Sequence, residues 1–149
     1  MSIKIQDKGA NELLKSLTKK LRSKVGVIGS DAVQAHRKAA GLTVVDIATI
    51  HEFGLGVPRR SFIRDYVDQN QPTLKKHLRN VGARILSGGE PKLTLQAFGT
   101  TVEGEIKDRI SDHIPPALAA ATIRRKGSDT PLIDTNQLRS SILSAEEVL

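Results

Sequence analysis

Apolar and polar positions alternate with two different periods along this chain, and the switches between them outline its elements. Ser2–Gln6 sets Ile3 and Ile5 between polar residues, the period of a half-buried strand. Asp7 suits an N-cap, because its carboxylate can accept the unpaired N–H groups of a following turn. From Lys8 to Arg22 the residues Ala10, Leu13, Leu14, Leu17 and Leu21 fall on one stripe of a helix. Lys24–Ile28 is a short β-branched run bounded by turn residues and reads as a strand, with Gly26 marking a bulge or a close backbone contact. Residues 30–42 contain few large apolar side chains and lead to Gly41, the pattern of a loop or an irregular hairpin.

Thr43 is placed to cap a helix carrying Val44, Ile47, Ala48 and Ile50, which ends at Gly54. Gly54 and Gly56 permit positive φ, and Pro58 disfavours a helical Val57, so a short structured loop follows. Ser61 can cap a second helix with Phe62, Ile63, Tyr66, Val67, Leu74, Leu78, Val81 and Ile85 along one side. Pro72 either kinks this helix or opens a new one, and Ser87, Gly88 and Gly89 end it. Lys92–Ser111 carries a further stripe of Leu95, Phe98, Val102, Ile106 and Ile110. Pro115 and Pro116 stop that helix, Ala117–Arg125 forms a short one, and Gly127 closes it. Asp134 or Thr135 can cap a single turn that returns Leu138 and Ile142 to the core before a last strand over 140–148.

The pattern predicts an α+β fold: a small, mostly antiparallel β-sheet from Ile3–Gln6, Lys24–Ile28 and Ser140–Glu146, packed against several amphipathic helices. At 149 residues the chain is expected to form one domain, with roughly 70% of its surface buried on folding. Ile50–Arg64 is the stretch on which the rest is organised. Phe53 and Phe62 bracket its loop in a chain with only 3% aromatic residues, and both read as buried core anchors.

Composition narrows the possible functions. No apolar run approaches the ~20 residues of a membrane helix, so no membrane partner is expected. The first residues lack the apolar stretch of a signal peptide, which argues against export. The absence of cysteine excludes disulfides and thiolate metal sites and suits a reducing cytoplasm. A net charge of +7 fits a nucleic-acid partner or an acidic protein surface, but the 23 basic residues are scattered among 16 acidic ones. His36, Arg37 and Lys38 form a small basic cluster, read as a solvated loop before a phosphate site.

The sequence carries none of the common catalytic or metal-binding motifs. His51-Glu52 lacks the second histidine of a zinc-protease helix, and the four histidines share no spacing. Phosphate-cradling loops, dinucleotide fingerprints and nucleophile elbows are absent from the sequence. The expectation is a protein that is not an enzyme, with no catalytic residues, no cofactor and no metal.

Two blocks carry a resemblance. Ile50-His51-Glu52-Phe53-Gly54 followed by Val57-Pro58-Arg59-Arg60-Ser61-Phe62-Ile63-Arg64 resembles the Ile-His-Glu-Phe-Gly … Ile-Pro-x-Arg-x-Phe-Leu-Arg pattern of a tailed-bacteriophage family. Its members are virion-morphogenesis, tail-completion or neck proteins. The segment from Ala117-Leu118 through Thr122–Gly127 and Thr130–Ile142 is similar to that family's second block, with Asn136 where the family often has glycine. Asn tolerates a left-handed backbone better than other non-glycine residues, so the turn should be kept.

The resemblance, which spans roughly Lys24 to the C-terminus, implies a virion protein made in the bacterial host cytoplasm. It would be a ring-forming tail-completion or tail-terminator subunit at the head–tail junction, with a hexamer as the first choice. Expected partners are further copies of itself and neighbouring neck, connector or tail-tube proteins, with genomic DNA met only as it passes the lumen. A head-completion or connector protein of the same neck, and a small basic DNA-binding regulator, stand as alternatives. The contact residues expected on this reading are Gly54, Gly56, Arg59 and Arg60 in one loop and Arg124, Arg125 and Lys126 beside the other. The Arg59–Arg60 pair is expected to fork onto carboxylates of a facing subunit.

Overall fold

The computed structural model describes Gly9, residues 20–38 and residues 41–148. Strand β1 (Leu21–Val27) leads through a 3-10 turn (Ser30–Val33) to helix α1 (Val44–Phe53). Helices α2 (Arg64–Gln69), α3 (Gln71–Leu86) and α4 (Pro91–Ser111) follow, then the short α5 (Ala120–Lys126) and the single turn α6 (Gln137–Ser140). Strand β2 (Ile142–Val148) closes the order. β1 and β2 pair antiparallel, from Leu21 opposite Val148 to Val27 opposite Ile142. The fold is therefore α+β, with a two-stranded antiparallel sheet among the described residues.

Helix α4 lies across this sheet, and Gly99 explains how closely. A Cβ at that position would stand 2.7 Å from Glu146 Oε1, 2.8 Å from Ser23 Oγ and 2.9 Å from the Ser144 side chain. At Gly99 the helix backbone bears directly on side chains of both strands, and a Cβ there would have to displace them. Further along α4 the expected stripe is realised by Val102, Ile106 and Ile110, all buried. They join Val44 and Ala48 of α1, Phe62, Tyr66, Ile114, Leu138 and Ile142 in one core. Glu103 adds a polar tie, accepting from the Ser144 N–H at 2.8 Å and from Lys107 Nζ at 2.6 Å.

The helix ends follow local chemistry. Thr43 makes a full capping box with Asp46: the Asp46 N–H donates to Thr43 Oγ1 at 3.2 Å, and the Thr43 N–H donates to Asp46 Oδ2 at 2.8 Å. Gly54 and Gly127 close α1 and α5 in left-handed conformation, with φ 72° in both. Asn136 takes φ 61°, keeping the turn that a glycine would make. Of the two readings of Pro72, the restart holds, because α2 ends at Gln69 and α3 carries the proline in its first turn. The described residues 30–38 and 41–43 take the irregular hairpin pattern, with a bridge between Ala35 and Thr43 and the His36 N–H donating to Leu42 O at 2.7 Å.

Several expectations change. The strand Ile3–Gln6 and most of the helix from Lys8 lie outside the described residues, and the last two residues of that helix, Leu21 and Arg22, open β1 instead. The second helix begins at Arg64, three residues after Ser61, whose hydroxyl donates to Glu52 at 2.6 Å and still accepts from the first-turn Asp65 N–H at 3.4 Å. The α4 helix keeps the expected end at Ser111, whereas α5 starts at Ala120, three residues later than Ala117. Helix α3 has no buried residue, although its apolar side chains fall on one stripe as expected.

Phe53 is the clearest correction. It is not a core anchor: it is 53% exposed, with the Arg64 guanidinium carbon 5.2 Å from its ring centre. The buried positions of α1 are Val44, Ala48 and Glu52, spaced by four. Phe53 follows Glu52 and so is rotated about 100° away from that face. A carboxylate holds the inward position, for a reason visible only in the next segment.

Candidate functional site

Glu52 organises the Ile50–Arg64 stretch. Its carboxylate accepts from Ser61 Oγ at 2.6 Å and from the N–H groups of Phe62 at 2.9 Å, Ile63 at 3.1 Å and Arg64 at 2.9 Å. Those amides lead into α2, where they have no helical acceptor, so a side chain from the preceding helix caps the following one. Burial by itself would raise the Glu52 carboxyl, but the hydrogen bonds from Ser61 and the Arg64, Ile63 and Phe62 amides outweigh it and hold the group below its ordinary value. The loop between is fixed at both ends. The Leu55 N–H donates to Ile50 O and the Arg60 N–H to His51 O, each at 2.9 Å. A Cβ on Gly54 would approach the Arg59 Cβ to 2.9 Å, which makes glycine necessary sterically as well as conformationally.

The paired arginines separate. Arg59 is exposed and pairs with Asp65 at 3.0 Å. Arg60 is 5% exposed and spends its fork inside the chain: Nε donates to Pro116 O at 2.9 Å, and one terminal nitrogen reaches Pro116 O at 2.7 Å and Ala117 O at 3.4 Å. This corrects the expectation that Arg60 contacts another subunit. An arginine fork satisfies adjacent carbonyls as readily as a carboxylate, and here it staples the first sequence block to the second. Arg60→Met is expected to cost about 2 kcal/mol, since the two carbonyls lose their donor. Arg59→Ala should cost under about 1 kcal/mol, as befits an exposed pair. Urea unfolding of both variants checks the contrast. Reversing both arginines to Glu would therefore damage the fold, and lost assembly in that double variant would not identify a contact.

With the two blocks stapled, the loops expected to reach partners face each other across one cleft of about 610 Å³. Val57 and Pro58 stand on one wall, Arg125 and Lys126 on another, and His36 and Lys38 of the hairpin on a third. Ile47, Leu118, Leu132 and Leu138 supply apolar surface between them. Gly54, Gly56, Arg59 and Arg124 do not line it. Lys126 donates to Thr130 O at 2.6 Å, and Lys38 pairs with Asp134 at 2.6 Å. Arg125 makes no ion pair among the described residues.

Charge in the cleft is lopsided. Lys38, Arg60, Arg125 and Lys126 line it against the single acid Asp134. Burial depresses the Lys126 amine; Asp134 opposes the shift, and the neighbouring Arg60 and Lys38 charges add to it. His51 is likewise held below its ordinary value by burial first, then by Arg60 and Lys126. Its Nδ1 is buried and has no hydrogen-bond partner among the described residues. Neither the role of Glu52 nor the position of His51 was foreseen from sequence, where the pair was weighed only as a metal motif. The capping signal was present as an acid nine residues before Ser61 and ten before Phe62, but no local rule connects them.

No group of three histidine or acidic side chains among the described residues could hold a metal ion. No helix among them is long and apolar enough to cross a membrane. No protein-family model matches this sequence, no curated protein is similar to it, and no solved structure matches it.

Proposed function

We propose that this protein is a structural virion component of a tailed bacteriophage, a ring-forming tail-completion subunit at the head–tail junction. The observation that carries the reading is the union of the two resembling blocks. They are more than fifty residues apart in sequence, yet Arg60 bonds to Pro116 O, immediately before the second block, and at 3.4 Å to Ala117 O at its start, and their loops flank a single cleft. Residues that look alike in a family because they build a shared contact surface would be expected to converge in this way. A catalytic role has no comparable support, since the motif's acid, Glu52, is consumed in capping backbone amides. On this reading the protein is not an enzyme, and it reaches the virion after synthesis in the host cytoplasm. Weak self-association in solution would suit a ring, ideally of six copies, that closes only on a tail tube, where neighbouring contacts reinforce one another.

The test is electron microscopy of particles from phage lacking the gene. Heads and tails that fail to join, or tails of faulty length, are the expected result. Normal infectious particles would overturn the proposal. Stalled heads that leak DNA, with normal tails, would move the protein to head completion. A DNA-binding regulator would instead show affinity for free DNA that falls steeply with added salt, as bound counterions are released.

A further inference from the structure

We infer that the cleft between α1, α5 and the 132–138 segment docks an acidic peptide segment of a different protein. The segment would lay an apolar side chain on the cleft floor and place carboxylates against Lys38, Arg125 and Lys126. This deepens the reading of the cleft as a contact surface and rests on it.

Three features of the cleft select that occupant. The first is uncompensated positive charge. Arg60 is buried against neutral carbonyls only, Arg125 is unpaired among the described residues, and Asp134 answers Lys38 alone by direct contact. Like charges crowded beside a low-dielectric surface are relieved by an anion, and complementarity of this kind sets partner choice. The second is the apolar floor of Ile47, Leu118, Leu132 and Leu138, which a free phosphate or a phosphodiester strand would leave uncovered. Among the described residues no phenylalanine, tyrosine or tryptophan lines the cleft to stack successive bases, as single-stranded nucleic acid usually requires. The third is that the cleft wall at His51 is not satisfied from within the chain, its Nδ1 having no hydrogen-bond partner among the described residues.

A second copy of the chain is a poor occupant. Its charge of +7 disfavours approach to a basic cleft. The sequence's only adjacent acids, Glu146 and Glu147, are held in β2, where they bond to Ser23 and Lys24. The partner is therefore an acidic neighbour, and the cleft distinguishes it from other copies in the ring.

Amide NMR spectra of the purified protein, titrated with defined probes, test this. One probe is a short peptide alternating glutamate with leucine. A second has glutamine for glutamate, a third serine for leucine, and a fourth is an oligothymidylate of the same length. The acidic, leucine-bearing peptide should shift amides around Lys38, Leu118, Arg125 and Leu132 at or below about 1 mM. Removing its charge or its leucines should each weaken binding about tenfold, and Arg125→Glu should do the same while leaving the melting temperature unchanged. Should Arg125→Glu disturb the fold, Arg125→Gln must still show a weaker loss in the same direction.

No shifts in the cleft with the acidic peptide, equal response to the glutamine peptide, or tighter binding of the oligothymidylate would each overturn the inference, the last in favour of nucleic acid. The two proposals fail separately. Absent peptide binding with junction-defective deletion particles removes only the docking site. Peptide binding with normal deletion particles removes the neck function and leaves the cleft as an acidic-peptide site.

Discussion

Replacing Glu52 by Ala is expected to remove about 4 kcal/mol of folding stability at neutral pH, a loss large enough to threaten the fold of a domain this size. Four donors lose their acceptor at once: the Ser61 hydroxyl and the amides of Phe62, Ile63 and Arg64. Ser61 and Phe62 are almost fully buried, so water cannot substitute freely. Glu52→Gln keeps the shape but loses the charge and turns one acceptor into a donor facing donors, and it should cost about 3 kcal/mol. Chemical denaturation at pH 7 measures both.

The pH dependence has a fixed sign. The folded carboxyl titrates below its ordinary value of 4.5. Its contribution is thus complete above that pH and is lost as pH falls through the lower, folded value. Wild type should therefore lose more stability between neutral pH and about pH 3 than Glu52→Gln does, because the glutamine has no proton to take up. Parallel acid limbs for the two proteins would show that Glu52 is not the capping group.

The second large effect separates the two phenylalanines that flank the loop. Phe62 is completely buried, among the residues of the central cluster, and Phe62→Ala should cost about 3–5 kcal/mol through lost burial and the cavity left behind. Phe53→Ala should cost under about 1 kcal/mol, since the ring is half exposed and gives up mainly its contact with Arg64. Thermal unfolding of the pair reads the difference directly. Equal losses would mean that Phe53 is covered in the folded protein. If Phe53→Ala is stable yet impairs particle assembly, the exposed ring is itself a contact.

Local rules were sufficient wherever an element's boundary depends on its own few residues. Thr43 with Asp46 starts α1, Gly54 and Gly127 stop α1 and α5, and Asn136 takes the left-handed turn, all by chemistry contained within one turn of chain. The α4 stripe and the closing strand were equally readable, because period alone tells helix from strand over such lengths. The same reasoning failed at Phe53 and Arg60 for a single cause. It treated large aromatics as inward and charges as outward, whereas α1 turns Glu52 inward to cap amides ten residues away.

Which charges are interior depends on where unsatisfied backbone groups fall after packing. Glu52 has its donors in the entry to α2, and Arg60 has its acceptors at Pro116 and Ala117, more than fifty residues on. No periodicity records such a distance. The residue types of the cleft were in view from the start, in the loops around Pro58 and Arg125 and in the basic hairpin at Lys38. Their arrangement around one concave, positively charged surface was decided by the Glu52 and Arg60 bonds, because buried polar groups must be satisfied wherever the fold brings their partners.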